Sequence, residues 1–300
     1  MKWPTYPAHS AFIAGATARC ELWRTMLGLV LLSGTYLFLF VVFAAALWAL
    51  IAPPGTLSLM EAVAQGVPRP ELTLVLLLSF LCLVLATAGT CIVLHGRSLM
   101  SLLGPKQLFL PQAAAAFIAL IVLVVAVFLL PPWGYDEPLL RHLDFGVWLA
   151  LLPLSLLAVL LQVSAEEIVF RGYLQQQLAA RFGSPWVWLV LPSALFGYLH
   201  YTPEEAGSNA VIIAIHAGVF GVLMADLTAR AGSLGPAIAA HFVNNAFAIV
   251  IIALPDLLGG LALYHLPFDL QDEARVAAWL PVDFALMVVS WLAIRVALKR

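Results

Sequence analysis

Charge is what this sequence has least of. Only 10% of its 300 residues are Asp, Glu, Lys or Arg, against about 25% in a soluble domain. Such a chain cannot cover a water-facing surface with charge, and its 63% hydrophobic content makes lipid the expected solvent. The formal net charge of −2 lacks the basic footprint that nucleic-acid binding depends on, so no nucleic acid is expected as a partner. Cysteine is scarce too: Cys20, Cys82 and Cys91, with no CxxC and no metal-type spacing. Cys82 and Cys91 are nine residues apart, on opposite faces of one helix. They cannot bridge within it, and all three read as small apolar fillers. Internal repeats, heptad arrays and low-complexity tracts are also missing. So is a clean signal peptide. Residues 1–25 are mixed, with Lys2, Arg19 and Arg24, and the first long apolar run begins at Met26. That run is long enough to be a retained transmembrane helix.

What is present is apolar length. Crossing the hydrocarbon core takes ~20 apolar residues, and eight segments qualify as spans: 26–52, 72–94, 113–132, 146–174, 185–201, 209–229, 235–254 and 281–298. The breaks between them are turn chemistry: "APPG" at 52–55, "GVPRP" at 66–70, "PPWGYDEP" at 131–138, "RFGSP" at 181–185, "YTPEEAGSN" at 201–209 and "AGSLGP" at 231–236. Trp133, Trp186 and Trp279 fall near span ends, where aromatic belts occur. The expected fold is an all-α polytopic membrane bundle. Basic residues set its orientation. With the N-terminus inside, the inner segments hold Lys2, Arg19, Arg24, Arg97, Lys106, Arg181, Arg230, Arg295, Lys299 and Arg300. The outer ones hold only Arg69, Arg141 and Arg275, and are otherwise acidic, with Glu61, Asp136 and Glu137 among the acids. Ten against three predicts both termini in the cytoplasm. The longest outer loop, 255–280, has room for a short interfacial helix around "QDEARVAAWL".

Against this background the ionisable residues inside spans stand out, because a charge near the bilayer centre costs about 2.5–3.5 kcal/mol on insertion scales. "SAEEIVFRGYL", residues 164–174, carries three. Glu167 and Arg171 are i, i+4 with the acid first, the favourable order for an ion pair. Glu166 lies ~100° away around the helix and is left to face something else. The fifth span holds Phe196 and His200, and the seventh His241 and Asn245, each pair i, i+4 and so on one face. Alone, either histidine reads as a hydrogen-bonded packing residue. Together with Glu166 they make a carboxylate, two imidazoles and an amide, a set able to activate water and stabilise an oxyanion. His216 lacks such a companion and reads as structural. His95, His142 and His265 fall in loops, and His9 in the N-terminal tail. Asp226 and Arg230 read as a boundary ion pair.

The set Glu166-Glu167-xxx-Arg171, Phe196-xxx-His200 and His241-xxx-Asn245 resembles the motifs of the CPBP family, the type II CAAX prenyl endopeptidases and their bacterial relatives. The resemblance covers roughly 146–250. It implies an intramembrane endopeptidase whose cavity opens to the cytosol, in a multi-pass protein of the bacterial plasma membrane. Its substrate would be a peptide or a lipidated protein, met among membrane lipids. Carried over by residue, Glu166 is the general base and His200 holds or polarises the water. His241 and Asn245 stabilise the oxyanion, and Glu167 with Arg171, supported by Phe196, is structural. The chain then divides into a three-span accessory region, 1–145, a catalytic core, 146–254, and an outer loop with the final span, 255–300. A zinc ion of the His₂Glu kind would take Glu166, His200 and His241 as ligands, but there is no HExxH, and a metal-free glutamate mechanism is preferred. Rivals are a non-catalytic scaffold of the same fold and an ion-coupled transporter. The latter finds no paired repeat halves here. One geometric demand follows. Fifteen residues separate Pro185 from His200 and six separate Gly235 from His241, about 22 Å and 9 Å of rise. The two histidines meet only if helix ends stagger.

Overall fold

The computed structural model describes residues 5–51, 66–131 and 138–300, with side chains of the first segment described to residue 47. Lys2, Glu61, Trp133, Asp136, Glu137 and the 52–55 turn lie outside the described residues. Nine principal helices make up the described chain. They are α1 (Pro7–Ile13), α2 (Leu22–Ile51), α3 (Pro70–His95), α4 (Lys106–Leu129), α5 (Phe145–Arg181), α6 (Trp186–Tyr198), α7 (Ala210–Ala231), α8 (Gly235–Ile251) and α9 (Glu273–Leu298). The architecture is the expected all-α polytopic bundle, and the chain is a multi-pass membrane protein.

Six helices, α2, α3, α4, α5, α7 and α9, are long and apolar enough to cross a membrane. The fifth and seventh expected spans, α6 and α8, are shorter. α6 packs against α7, and α8 against α4 and α5. Close approach makes the α6–α7 seam: Gly197 lies against the Ala214 carbonyl and Gly218, and Gly221 against Ser193. A Cβ at Gly197 or Gly221 would meet backbone or side-chain atoms there. The 271–280 stretch forms no separate interfacial helix. It enters α9 directly, because Asp272 caps the helix by accepting from the Arg275 N–H at 3.2 Å.

The two ends of the bundle are tied differently. At one end, Arg24 donates to the Leu94 carbonyl at 3.1 Å and Arg97 to Gln176 at 2.6 Å. Asp226 accepts from Tyr6 at 2.8 Å, Arg230 at 2.7 Å and Trp291 at 3.0 Å, which binds α1, α7 and α9 together. Asp226–Arg230 is thus a pair as expected, and also a hub. At the other end three two-residue strands, β1 (Leu140–Arg141), β2 (Ile252–Ala253) and β3 (Tyr264–His265), form a sheet in the order β1-β3-β2. β1–β3 is antiparallel, with Leu140 opposite His265. β2–β3 is parallel, with Ile252 opposite Tyr264.

Several histidines expected to be idle are not. His95 is buried at the end of α3, within hydrogen-bond distance of the Tyr173 hydroxyl (3.0 Å) and the Arg19 carbonyl (3.1 Å). His265 is buried on β3 and stacks on His142, with centroids 4.0 Å apart. His9 is buried against Trp188 at 4.4 Å. A charge-poor interior still has polar groups to satisfy: His95 meets a carbonyl and a hydroxyl, His265 the Gly259 carbonyl and His9 the Gln175 amide.

Candidate active site

The helix that carries both glutamates changes register where they end. α5 is α-helical over Phe145–Glu167, π-helical over Ile168–Gln175, and α-helical again over Gln176–Arg181. α3, α6 and α8 also contain π segments, at Cys91–His95, Trp186–Val190 and Phe247–Ile251, so the one in α5 is set apart by its burial. Every residue from Ile168 to Leu178 is buried, so the widened turn lies inside the protein.

Glu167 and Arg171 form the core of the site. Both side chains are fully buried, and Arg171 Nη1 donates to Glu167 Oε1 at 3.0 Å. The guanidinium also sits 4.8 Å over the Phe196 ring, a cation–π contact that α6 supplies. The same Glu167 oxygen is 2.9 Å from His241 Nδ1 on α8. A carboxylate only accepts, so Nδ1 carries the proton and Nε2 is the nitrogen left to face elsewhere. It faces Glu166, whose Oε2 is 3.7 Å away.

Glu166 lines a cavity of about 370 Å³ together with Gln162, Phe196, His200, His216, His241 and Asn245. Its other oxygen accepts from Gln162 Nε2 at 2.7 Å. Gln162 Oε1 in turn accepts from Asn245 Nδ2 at 3.0 Å, and Asn245 Oδ1 accepts from Asn244 at 3.1 Å. Gln162 therefore fixes the base and the amide with one side chain. His200 donates from Nδ1 to the Phe196 carbonyl at 2.8 Å, which turns Nε2 out as an acceptor. The opposite wall is apolar and comes from α3, with Leu76, Leu77 and Phe80.

All seven residues singled out in the sequence are thus brought together. Glu166, Phe196, His200, His241 and Asn245 line one cavity, and Glu167 and Arg171 brace it. His200 and His241 line the same cavity: the Phe196 ring is 4.5 Å from His200 and 6.3 Å from His241, and His200 lies just past the end of α6.

Three polar lining residues, Gln162, His216 and Asn244, lie outside the motif set. Gln162 is uncharged, but it stands alone in an apolar run four residues before Glu166, and that spacing was the available signal. His216 read as structural for want of an i, i+4 companion. Its neighbours are the Asp283 main chain and the Phe284 ring at 4.8 Å, both on α9, and its own helix shows neither. A zinc site was also considered. Glu166, His200 and His241 share the cavity, but among the described residues no three His, Cys, Asp or Glu side chains gather as a metal-holding group. The Glu167 bond to His241 Nδ1 leaves Nε2 free, so the misfit lies in the spacing of the three groups and not in their hydrogen bonds.

Comparison with known proteins agrees with the motif reading. Residues 147–247 match the family described as type II CAAX prenyl endopeptidase Rce1-like. The chain is also similar to YyaK, an uncharacterized protein of Bacillus subtilis (strain 168). Identity is 26% over 253 residues, covering 81% of this chain and 82% of that protein. No solved structure matches the chain.

Proposed function

With the Rce1-like match of residues 147–247 as premise, we propose that this protein is an intramembrane endopeptidase that hydrolyses a peptide bond with a water activated by Glu166. One observation carries the reading: a carboxylate, an imidazole acceptor and an amide donor from three helices line a single cavity. The matched segment falls within 146–254, which is then the catalytic core, and 1–145 and 255–300 are accessory. We place it in the plasma membrane of a bacterium, the relative with 26% identity being a Bacillus protein.

The step runs as follows. Water lies between Glu166 and His200 Nε2. Glu166 takes its proton as the oxygen attacks the scissile carbonyl carbon. The negative charge moves to the carbonyl oxygen. Asn245 receives it, having one amide N–H on Gln162 and a second to spare, and His241 Nε2 joins when its ring carries both protons. The tetrahedral adduct collapses, the C–N bond breaks, and the proton held by Glu166 passes to the leaving amine. No covalent enzyme intermediate is needed. Glu167, Arg171 and Phe196 hold His241 and His200 in the required orientation and touch no reacting atom. No step is routed through a metal.

The test compares peptide termini across the membrane proteome of host cells carrying wild type or Glu166→Ala. Termini present only with wild type are expected, and they identify the substrate and whether it is lipidated. Identical termini, with both proteins folded in the membrane, would make the protein a scaffold and the glutamate pair architecture.

A further inference from the structure

The cavity is not placed symmetrically between the two ends of the bundle. Its wall includes Leu258, from the segment between α8 and α9, and His200, exposed just past the end of α6. Ile249 lies near the C-terminal end of α8, and Leu76, Leu77 and Phe80 lie in the first half of α3. All of these belong to the end that carries the small sheet and the 199–209 connection. No lining residue comes from the connections at the opposite end, 96–105, 182–185 or 232–234. On that side the bundle is packed shut, with Arg171, Tyr173, Leu102 and Leu234 all buried to 1% or less.

The closed end is also the basic end. Arg19, Arg24, Arg97, Lys106, Arg181, Arg230, Arg295, Lys299 and Arg300 belong to it, nine of the described basic residues. Contacts confirm the grouping: Arg24 reaches the end of α3, Arg97 the end of α5, and Arg230 joins α1 to α9 through Asp226. At the cavity end are only Arg69, Arg141 and Arg275. Each has an acidic neighbour: Glu71 at 2.9 Å, Asp144 at 3.6 Å and Asp272 at 3.2 Å. Lys and Arg stay on the cytoplasmic side of a multi-pass protein.

Packed end and basic end coincide, and we infer that the active-site cavity opens on the extracytoplasmic side of the membrane, so that the substrate is an exported polypeptide reached from outside. This rests on the endopeptidase reading and reverses the cytosolic opening that the family resemblance implies. A prenylated cytosolic C-terminus could not reach Glu166 by this route. A secreted peptide, or the outer segment of another membrane protein, could.

The direction of opening is testable without a substrate. Single cysteines are placed in a Cys20→Ser background of the full chain: Glu204→Cys on the outer connection, Asn244→Cys and Leu258→Cys on the cavity, and Lys299→Cys at the basic end. Whole cells are treated with a membrane-impermeant sulfonated methanethiosulfonate. Modification of Glu204→Cys and at least one cavity cysteine in intact cells is expected, with Lys299→Cys modified only after permeabilisation. The reverse pattern overturns the proposal. So does labelling of Glu204→Cys while both cavity cysteines stay unmodified until the cells are opened. Failure of the protease reading looks different, since wild type and Glu166→Ala would then share all termini while the labelling pattern stood. If proteolysis holds, cleaved bonds must lie in exported segments, and bonds confined to cytoplasmic segments would sink the inference.

Discussion

Gln162 shows how much one neutral side chain can organise. It donates to Glu166 and accepts from Asn245, so the proposed base and oxyanion donor share a clamp. Truncation to Leu keeps the volume and removes both bonds. Neither partner is covalently altered, so substrate binding should survive while alignment is lost. Gln162→Leu is expected to lower kcat by up to about 10²-fold with little change in KM, measured on the substrate that the termini comparison identifies. Glu166→Gln removes the base itself and should cost about 10²–10⁴-fold. An unchanged kcat in Gln162→Leu would mean that the clamp is incidental. A rise in KM alone would place Gln162 in substrate binding.

At the scale of the element, α5 holds the buried ion pair across the point where its register changes from α to π. About six turns of apolar chain lead to Glu166 and Glu167, and the π segment that follows holds Arg171 among buried residues only. Buried ion pairs are costly to break and cheap to replace whole. Glu167→Gln should therefore destabilise the detergent-solubilised protein by roughly 3–5 kcal/mol, since Arg171 keeps its charge without its partner. The double variant Glu167→Met/Arg171→Met should recover most of that stability and still be inactive, because His241 Nδ1 has lost its acceptor. Chemical denaturation of both, alongside their activity, checks this. Recovery of activity in the double variant would show that Glu167 does nothing beyond balancing the arginine. The pair itself was readable from its i, i+4 spacing. The π register was not, because periodicity reports which residues are apolar and not how the backbone closes its hydrogen bonds. The same limit hid His216, whose contacts come from α9, about seventy residues downstream.

Across the whole molecule, the helices were legible because lipid demands long apolar runs, and the site because lipid makes polar residues conspicuous. What the chain does at its ends was less so. α6 and α8 fall short of spanning length, and each packs along its neighbours, a tertiary fact. The N-terminal segment reads as a tail, yet α1 is docked on the basic end through His9. That ring packs on Trp188 at 4.4 Å, and Gln175 Nε2 lies 3.4 Å from its Nε2, a donor that needs the lone pair of a neutral imidazole. Burial pushes the His9 pKa down from 6.5 to about 4, with no carboxylate opposing it. The sign follows from linkage. Between those values the unfolded chain binds a proton that the folded one refuses, so stability is complete above pH 6.5 and falls as the pH drops toward 4. A shift of this size is worth about 3 kcal/mol, discounted somewhat for partial exposure to solvent. Melting of the detergent-solubilised protein between pH 7 and pH 4.5 should therefore fall more steeply for wild type than for His9→Gln, which does not titrate. The difference between the two curves isolates this residue from every carboxylate that titrates over the same range. Parallel curves would mean that the imidazole's titration is a bystander to the docking of the N-terminus, which would then rest on the Tyr6–Asp226 bond and on packing such as that of buried Phe12.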